Sequence, residues 1–377
     1  MEEFDAIRPY RDDEVPGVIA RLSNDPALLR AASGFFAPRL SGWFPWLAQR
    51  LTRRFIVSRT RRLTSVDDVQ LWLSRYMARV IRNSIAELTI DGLHNIRPGE
   101  PYLFISNHRD IVMDSGLLNY LIHQAGHRTA RMAVGDNLLE APYAADLMRL
   151  NKSFVVERSV TGAKALMRAL SRTSAYVRHS LEQERESVWI AQREGRAKDG
   201  LDRTDPAIIK MLALAFRKEN PNPGALAAQL PIVPVSVSYE LDPCDRRKAH
   251  ELCVREHCGE YHKAAGEDLD SMVDGIIGYK GRVHFSLGAP LAGEYADADA
   301  LARALDVAIV GGMRIFPTNR DAAGRLGMRC DAQVPEPLAR VMNLYEGHLQ
   351  SCPPEEQPYL LAGYGNLIRN RRELGIG

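Results

Sequence analysis

From about residue 86 the chain alternates short apolar or β-branched runs with longer amphipathic stretches, and no other feature limits its possible folds as tightly. "AELTI", "YLFIS", "SFVVE", "SVWIA", "IVPVSVSY" and "RVHFSL" read as strands. Between them, "GAKALMRALSRTSAYVRHSLEQ" and "DPAIIKMLALAFRK" carry apolar residues at helical spacing. Strands alternating with helices predict an α/β domain. Near-continuous apolar strands predict a central, mostly buried sheet flanked by helices. Before this region the pattern is helical, through "DDEVPGVIARLS", "DPALLRAASGFF" and "SVDDVQLWLSRYMARVIRNSI". After about residue 296 it is helical again, through "DADALARALDVAIVGGMRI" and "PEPLARVMNLYEGHLQ". The expected organisation is an N-terminal helical region over 1–85, an α/β domain over 86–296 and C-terminal helices over 297–377.

Composition narrows the class. At 377 residues and 45% hydrophobic the chain can bury a sizeable core, and a net charge of +2 does not point to a nucleic-acid partner. The polar start "MEEFDAIRPYRDDEV" is not a signal peptide, and no run of eighteen apolar residues predicts a spanning helix. Five cysteines are too few for a disulfide framework. Cys244, Cys253 and Cys258 lie among His250, His257 and His262. They lack the paired C-x2-C spacing of zinc sites, which favours free thiols in a reducing cytosol.

One segment stands apart by charge. Between Asp25 and Asp67 there is no acidic residue, while eight arginines alternate with Phe35, Phe36, Trp43, Phe44 and Trp46. This composition suits an anionic membrane surface met through residues 35–62. The competing reading is a helix whose aromatics pack on the catalytic domain while its arginines are solvated. The expected location is cytoplasmic and peripheral, on the inner face of the cell membrane.

The stretch "SNHRDIVMDS" places His108, Asp110 and Asp114 just after an apolar run. A strand ending at "LFIS" delivers His108 to a sheet edge beside a helix start, a common ligand position in α/β folds. His titrates near neutrality and is the natural general base. A carboxylate on its other nitrogen fixes the tautomer and stabilises the imidazolium. Either aspartate can serve, and a surface or capping pair is the plain alternative. Basic residues follow other predicted strands: Arg158 and Lys164 in "KSFVVERSVTGAK", then Arg193, Glu194, Gly195, Arg196 and Lys198 in "IAQREGRAKDG". Gly195 permits close backbone approach, and the cations around it suit a phosphate. "LPIVPVSVSYE" is a buried strand interrupted by Pro234 and ending in Tyr239 and Glu240. A base beside a phosphate-sized cluster suggests transfer onto a phosphorylated alcohol.

In order and content these segments resemble the four blocks of the glycerolipid acyltransferases, most closely the bacterial glycerol-3-phosphate acyltransferases. "NHRDIVMD" resembles the H-x4-D block, "FVVERSVTGAK" the second, "REGRAKDG" the third and "IVPVSVSYE" the fourth; "VHFSLGAPL" resembles a later strand. The likeness covers roughly residues 88–293. Two departures stand out. Met113 occupies the family's Asp position, so the spacing is H-x5-D, and Glu194 precedes Arg196 by two positions. The resemblance implies His108 as base, with Asp114 as its partner and Asp110 competing. It implies acceptor phosphate on Arg158, Lys164, Arg193, Arg196 and Lys198, with Glu194, Gly195 and Tyr239 in support. Backbone amides near Gly195 would serve the oxyanion. It implies no metal or cofactor, an acyl-CoA or acyl-carrier-protein donor as co-substrate, and a phosphorylated glycerol acceptor, glycerol 3-phosphate or lysophosphatidic acid. Another lipid acceptor, or a non-catalytic lipid-binding scaffold, are the alternatives. A thioester hydrolase ranks lower because no G-x-S-x-G elbow occurs.

Overall fold

The structure is a computed structural model. It describes residues 2–36, 38–139, 141–264 and 266–376, without the side chains of Glu2, Phe35, Phe36 and Pro38. Seven strands form: β1 Glu87–Asp91, β2 Leu103–Ser106, β3 Arg131–Gly135, β4 Ser153–Val156, β5 Val188–Ala191, β6 Ile232–Tyr239 and β7 Arg282–Leu287. Six coincide with the apolar runs of the sequence. β3, "RMAVG", was not expected, because it opens on Arg131 and buries only Met132 and Gly135.

The chain divides into two compact units, residues 1–76 with 131–172, and residues 77–130 with 173–377. These differ from the linear boundaries expected at 85/86 and 296/297. The physical reason lies in what each segment packs on. Val155 of β4 donates its N–H to Ile7 O at 2.8 Å, tying β4 to the N-terminal helical region. The C-terminal helix Ala298–Gly312 packs on β6, where Ser236 Oγ donates to Ile309 O.

The first unit is largely helical. Val15, Val18 and Leu22 of Val15–Leu22 meet Val66, Val69 and Leu150 in one apolar cluster. Asp146 receives Tyr10 Oη at 2.6 Å and Arg21 Nε at 2.7 Å at its edge. β3 and β4 pair in parallel. The helix Pro45–Thr60 carries the basic aromatic segment. Trp43 and Trp46 are 82% and 65% exposed, and Phe44, Leu51 and Phe55 are exposed with them. Arg50, Arg53, Arg54 and Arg59 are exposed on the same helix. Phe35 and Phe36, which belong to the same expectation, have side chains outside the described residues.

The second unit is built on five strands in the order β1-β7-β6-β2-β5. β5, β2 and β6 run parallel, β7 is antiparallel to β6, and β1 is parallel to β7. In β2, Leu103, Phe104 and Ile105 are at most 1% exposed. Burying each contributes about 2 kcal/mol, which explains why the run is apolar without alternation. Pro234 has no N–H to give, and the β6–β7 ladder begins one residue later, at Val235. Among the described residues no helix is long and apolar enough to cross a membrane.

Candidate active site

Three parallel strands end on one edge of the second unit, and the candidate groups follow their C-terminal ends, as crevices in such sheets dictate. β2 ends at Ser106. The next residue, Asn107, is fully buried and continues the ladder with its side chain. Its Nδ2 donates to Val237 O at 2.9 Å, and its Oδ1 accepts from Val237 N at 2.8 Å. This pins the chain where the strand stops and fixes the direction in which His108 leaves.

His108 Nδ1 lies 2.8 Å from Asp114 Oδ2. The same oxygen accepts from Arg109 N at 2.6 Å and Asp110 N at 2.9 Å, and Oδ1 accepts from Tyr239 Oη at 2.9 Å. A carboxylate already accepting two backbone N–H bonds is an acceptor toward the ring as well. Nδ1 therefore carries the proton, and Nε2 keeps its lone pair. Among the described residues no group hydrogen-bonds Nε2. Asp114 is fully buried, in the first turn of the helix Met113–Gln124. The H-x5-D spacing works because the backbone of residues 109 and 110 folds over this carboxylate, while Met113 is buried in the core. Asp110, the competing partner, is engaged elsewhere. Its Oδ1 accepts from Val112 N at 2.9 Å and Met113 N at 2.8 Å at the helix start. Burial, followed by the charge of Asp114, holds its carboxyl above the usual range. Burial and the same neighbour push the Tyr239 hydroxyl well up, so it stays a donor.

The loop after β5 brings the basic residues to this edge. Gln192 N donates to Ser106 O and Ala197 N to His108 O, both at 2.8 Å, so the first and third blocks are joined through backbone. Gly195 sits at φ 72°, a left-handed conformation that a side chain would strain, with open space around it. Arg196 Nη1 is buried and has no hydrogen-bond partner among the described residues. A buried, unpartnered guanidinium nitrogen is costly unless a ligand pairs with it. Lys198 has another partner than the expected phosphate: its Nζ pairs with Glu251. Burial lowers its pKa against that carboxylate. Ala197 N is already taken, so it is not a free amide for an oxyanion. Arg193 is half-buried, and its charge reaches Asp202. Glu194 is exposed. Glu240 is bound to Arg282, at 3.0 Å from Nη1 and from the backbone N–H.

Arg158 and Lys164 belong to the first unit. There Arg158 N and Ser159 N donate to Asp136 Oδ2 at 3.1 and 3.0 Å, and Lys164 is exposed in the first turn of Ala163–Glu182.

Several residues of the site carried no sequence signal. The Arg109 guanidinium pairs with the fully buried Asp202. Lys248 donates to Arg109 O at 2.7 Å and pairs with Asp242. Burial raises the Asp242 carboxyl, but Lys248 more than offsets this and leaves it below the usual range. Trp189 is buried, donates to Ser106 Oγ at 2.9 Å, and its ring centroid lies 5.7 Å from that of His108 with the two rings nearly perpendicular. A small cleft opens beside Arg109 and Tyr239, walled also by Lys198, Lys248 and Arg314. Cys244 and Cys253 are buried and Cys258 is exposed, and among the described residues no three His, Cys, Asp or Glu side chains are grouped to hold a metal ion.

Chemically, this edge offers an oriented imidazole with an unbonded Nε2, and an unpaired arginine nitrogen on the loop whose Ala197 N–H donates to His108 O. No match was found among curated proteins. Among solved structures, the chain is similar to the 1-acyl-sn-glycerophosphate (LPA) acyltransferase PlsC from Thermotoga maritima, with 14% identity, a TM-score of 0.39, and coverage of 81% of this chain and 98% of that one. The model of the family described as Acyltransferase matches residues 87–238, the stretch that carries His108, Asp114 and the basic loop.

Proposed function

We propose that this acyltransferase moves a fatty acyl group from a thioester, acyl-CoA or acyl-carrier protein, to the hydroxyl of glycerol 3-phosphate or lysophosphatidic acid. The observation that carries the reading is the His108–Asp114 pair at 2.8 Å, joined through backbone to the loop that bears the unpartnered Nη1 of Arg196. His108 Nε2 takes the proton of the acceptor hydroxyl, and the oxygen forms a bond to the thioester carbonyl carbon. The tetrahedral intermediate collapses, the C–S bond breaks, and the thiolate takes the proton back from Nε2. Ester and free thiol leave, with no covalent enzyme intermediate. Asp114 holds the imidazole and stabilises its charged form. Arg196 and Arg193 receive the acceptor phosphate, where a planar guanidinium matches two phosphate oxygens. The likeness of the second block extends a phosphate role to Arg158 and Lys164 by sequence alone. Lys198, held by Glu251, is left out of the proposal. The exposed Trp43, Phe44 and Trp46, with Arg50, Arg53 and Arg54, are the proposed contact with an anionic membrane on its inner face.

The test is free-thiol release from a long-chain acyl-CoA, and from acyl-carrier protein, with no acceptor, glycerol 3-phosphate or lysophosphatidic acid. Products are identified by mass spectrometry. Release that needs one acceptor and vanishes in His108→Ala is the expected result, and it names the substrate. Acceptor-independent release makes the protein a hydrolase, and no release with either donor overturns the proposal.

A further inference from the structure

The helix Gln357–Glu373 lies outside the stretch matched by the family, yet it grips the basic loop. Asn366 Nδ2 donates to Asp199 O at 2.8 Å and Asn370 Nδ2 donates to Asp202 O at 2.9 Å. Both asparagines are at most 5% exposed. Gly363 lies on the same helix face, one turn before Asn366. There the loop sits on the helix backbone itself: a Cβ on Gly200 would stand 2.6 Å from Gly363 O, and Gly200 has φ 74°. Leu360, Gly363 and Tyr364 also wall the cleft beside Tyr239. Tyr364 Oη accepts from Asp242 N at 3.0 Å and donates to Asp245 Oδ2 at 2.7 Å, so the helix holds the exit of β6 as well.

The loop needs such partners. Residues 193–204 contain no helix or strand. Their backbone N–H groups reach out instead, Ala197 to His108 O and Thr204 to Asp306 Oδ1 at 2.6 Å. A segment without its own ladder takes its shape from whatever satisfies its polar groups. The two carbonyls held by the asparagines flank the glycine seated on the helix. One of them belongs to Asp202, whose carboxylate holds Arg109, the residue after His108.

We propose that Asn366 and Asn370 are positioning residues, which set the Arg196 loop and, through Asp202 and Arg109, the His108 segment. The proposal rests on the reading of His108 and Arg196 given above. It makes the C-terminal helix part of the acceptor site without contact to the reacting atoms. Losing either amide frees the loop, so the acceptor is held less well while the thioester donor is not.

The experiment uses the full chain with Asn366→Ala, Asn370→Ala and the double variant. Amide hydrogen exchange is followed in residues 193–204 and 104–115, together with KM for donor and acceptor. The single variants are expected to raise exchange in 193–204 about tenfold while β2, β5 and β6 stay protected. Acceptor KM rises about fivefold, and donor KM stays within about twofold. The singles carry the test if the double variant does not fold. Unchanged loop exchange in a folded single variant overturns the proposal, as does a rise spread evenly over the second unit or a parallel change in both KM values. Wild-type turnover is read in the same preparations. Failure of the acyl-transfer reading appears as wild type without acceptor-dependent thiol release, and failure of the positioning role as a loop that does not loosen.

Discussion

Asp114 collects four donors, and the two aspartates of the first block can be told apart by what each change removes. Asp114→Asn keeps an acceptor for the backbone N–H groups but removes the charge that stabilises the imidazolium. Thiol release is expected to fall about 10³- to 10⁴-fold. Asp110→Asn keeps an acceptor for the Val112 and Met113 N–H groups, and activity is expected to stay within about threefold. Equal losses in the two variants would overturn the assignment. Tyr239→Phe leaves a buried carboxylate oxygen short of one donor, at a cost of about 2 kcal/mol in the same assay. Arg196→Lys keeps the charge and loses the planar fork, so acceptor KM should rise about tenfold with donor KM unmoved. The His108–Asp114 pairing was legible because both residues sit within one short stretch. The Arg109–Asp202 pair spans 93 positions and the Asn370–Asp202 bond spans 168, and no periodicity or spacing rule reaches that far.

Among elements, the buried strands were legible and the irregular connections were not. β2, β5 and β6 announce themselves by unbroken apolar runs, whereas the loop after β5 is shaped by distant helices. One junction has a measurable consequence. Lys280, between the helix Glu267–Ile277 and β7, is fully buried, and its Nζ donates to Gly278 O at 2.7 Å and Ser84 Oγ at 3.2 Å. Burial, offset in part by the charge of Asp110, lowers its pKa to about 8. Between that value and the unfolded value near 10.5 the unfolded chain binds the extra proton, so this group makes stability rise with pH across that window. Below pH 8 its full destabilisation, about 3 kcal/mol, is present. Denaturant midpoints from pH 7 to 10.5 are expected to climb more steeply in wild type than in Lys280→Met. Parallel curves would remove the buried ammonium from the account.

For the whole molecule, the alternation of strand-like and helical runs gave the α/β class and composition gave the basic aromatic segment, but neither gave the division into two units, because that depends on which segments cluster in space. Changing Arg50, Arg53 and Arg54 together to Gln is expected to weaken flotation with anionic vesicles by about 1 kcal/mol per residue. The effect should shrink at high salt. Binding that survives the triple change would end the membrane proposal. The strand order β1-β7-β6-β2-β5 bears on how the protein can be cut. The family's stretch ends at residue 238, one short of Tyr239, the fourth donor to Asp114, and far short of β7. A fragment trimmed to 87–238 would strand β1 without its partner β7 and leave the flank of β6 bare. It would open a sticky sheet margin and miss the tyrosine that donates to Asp114.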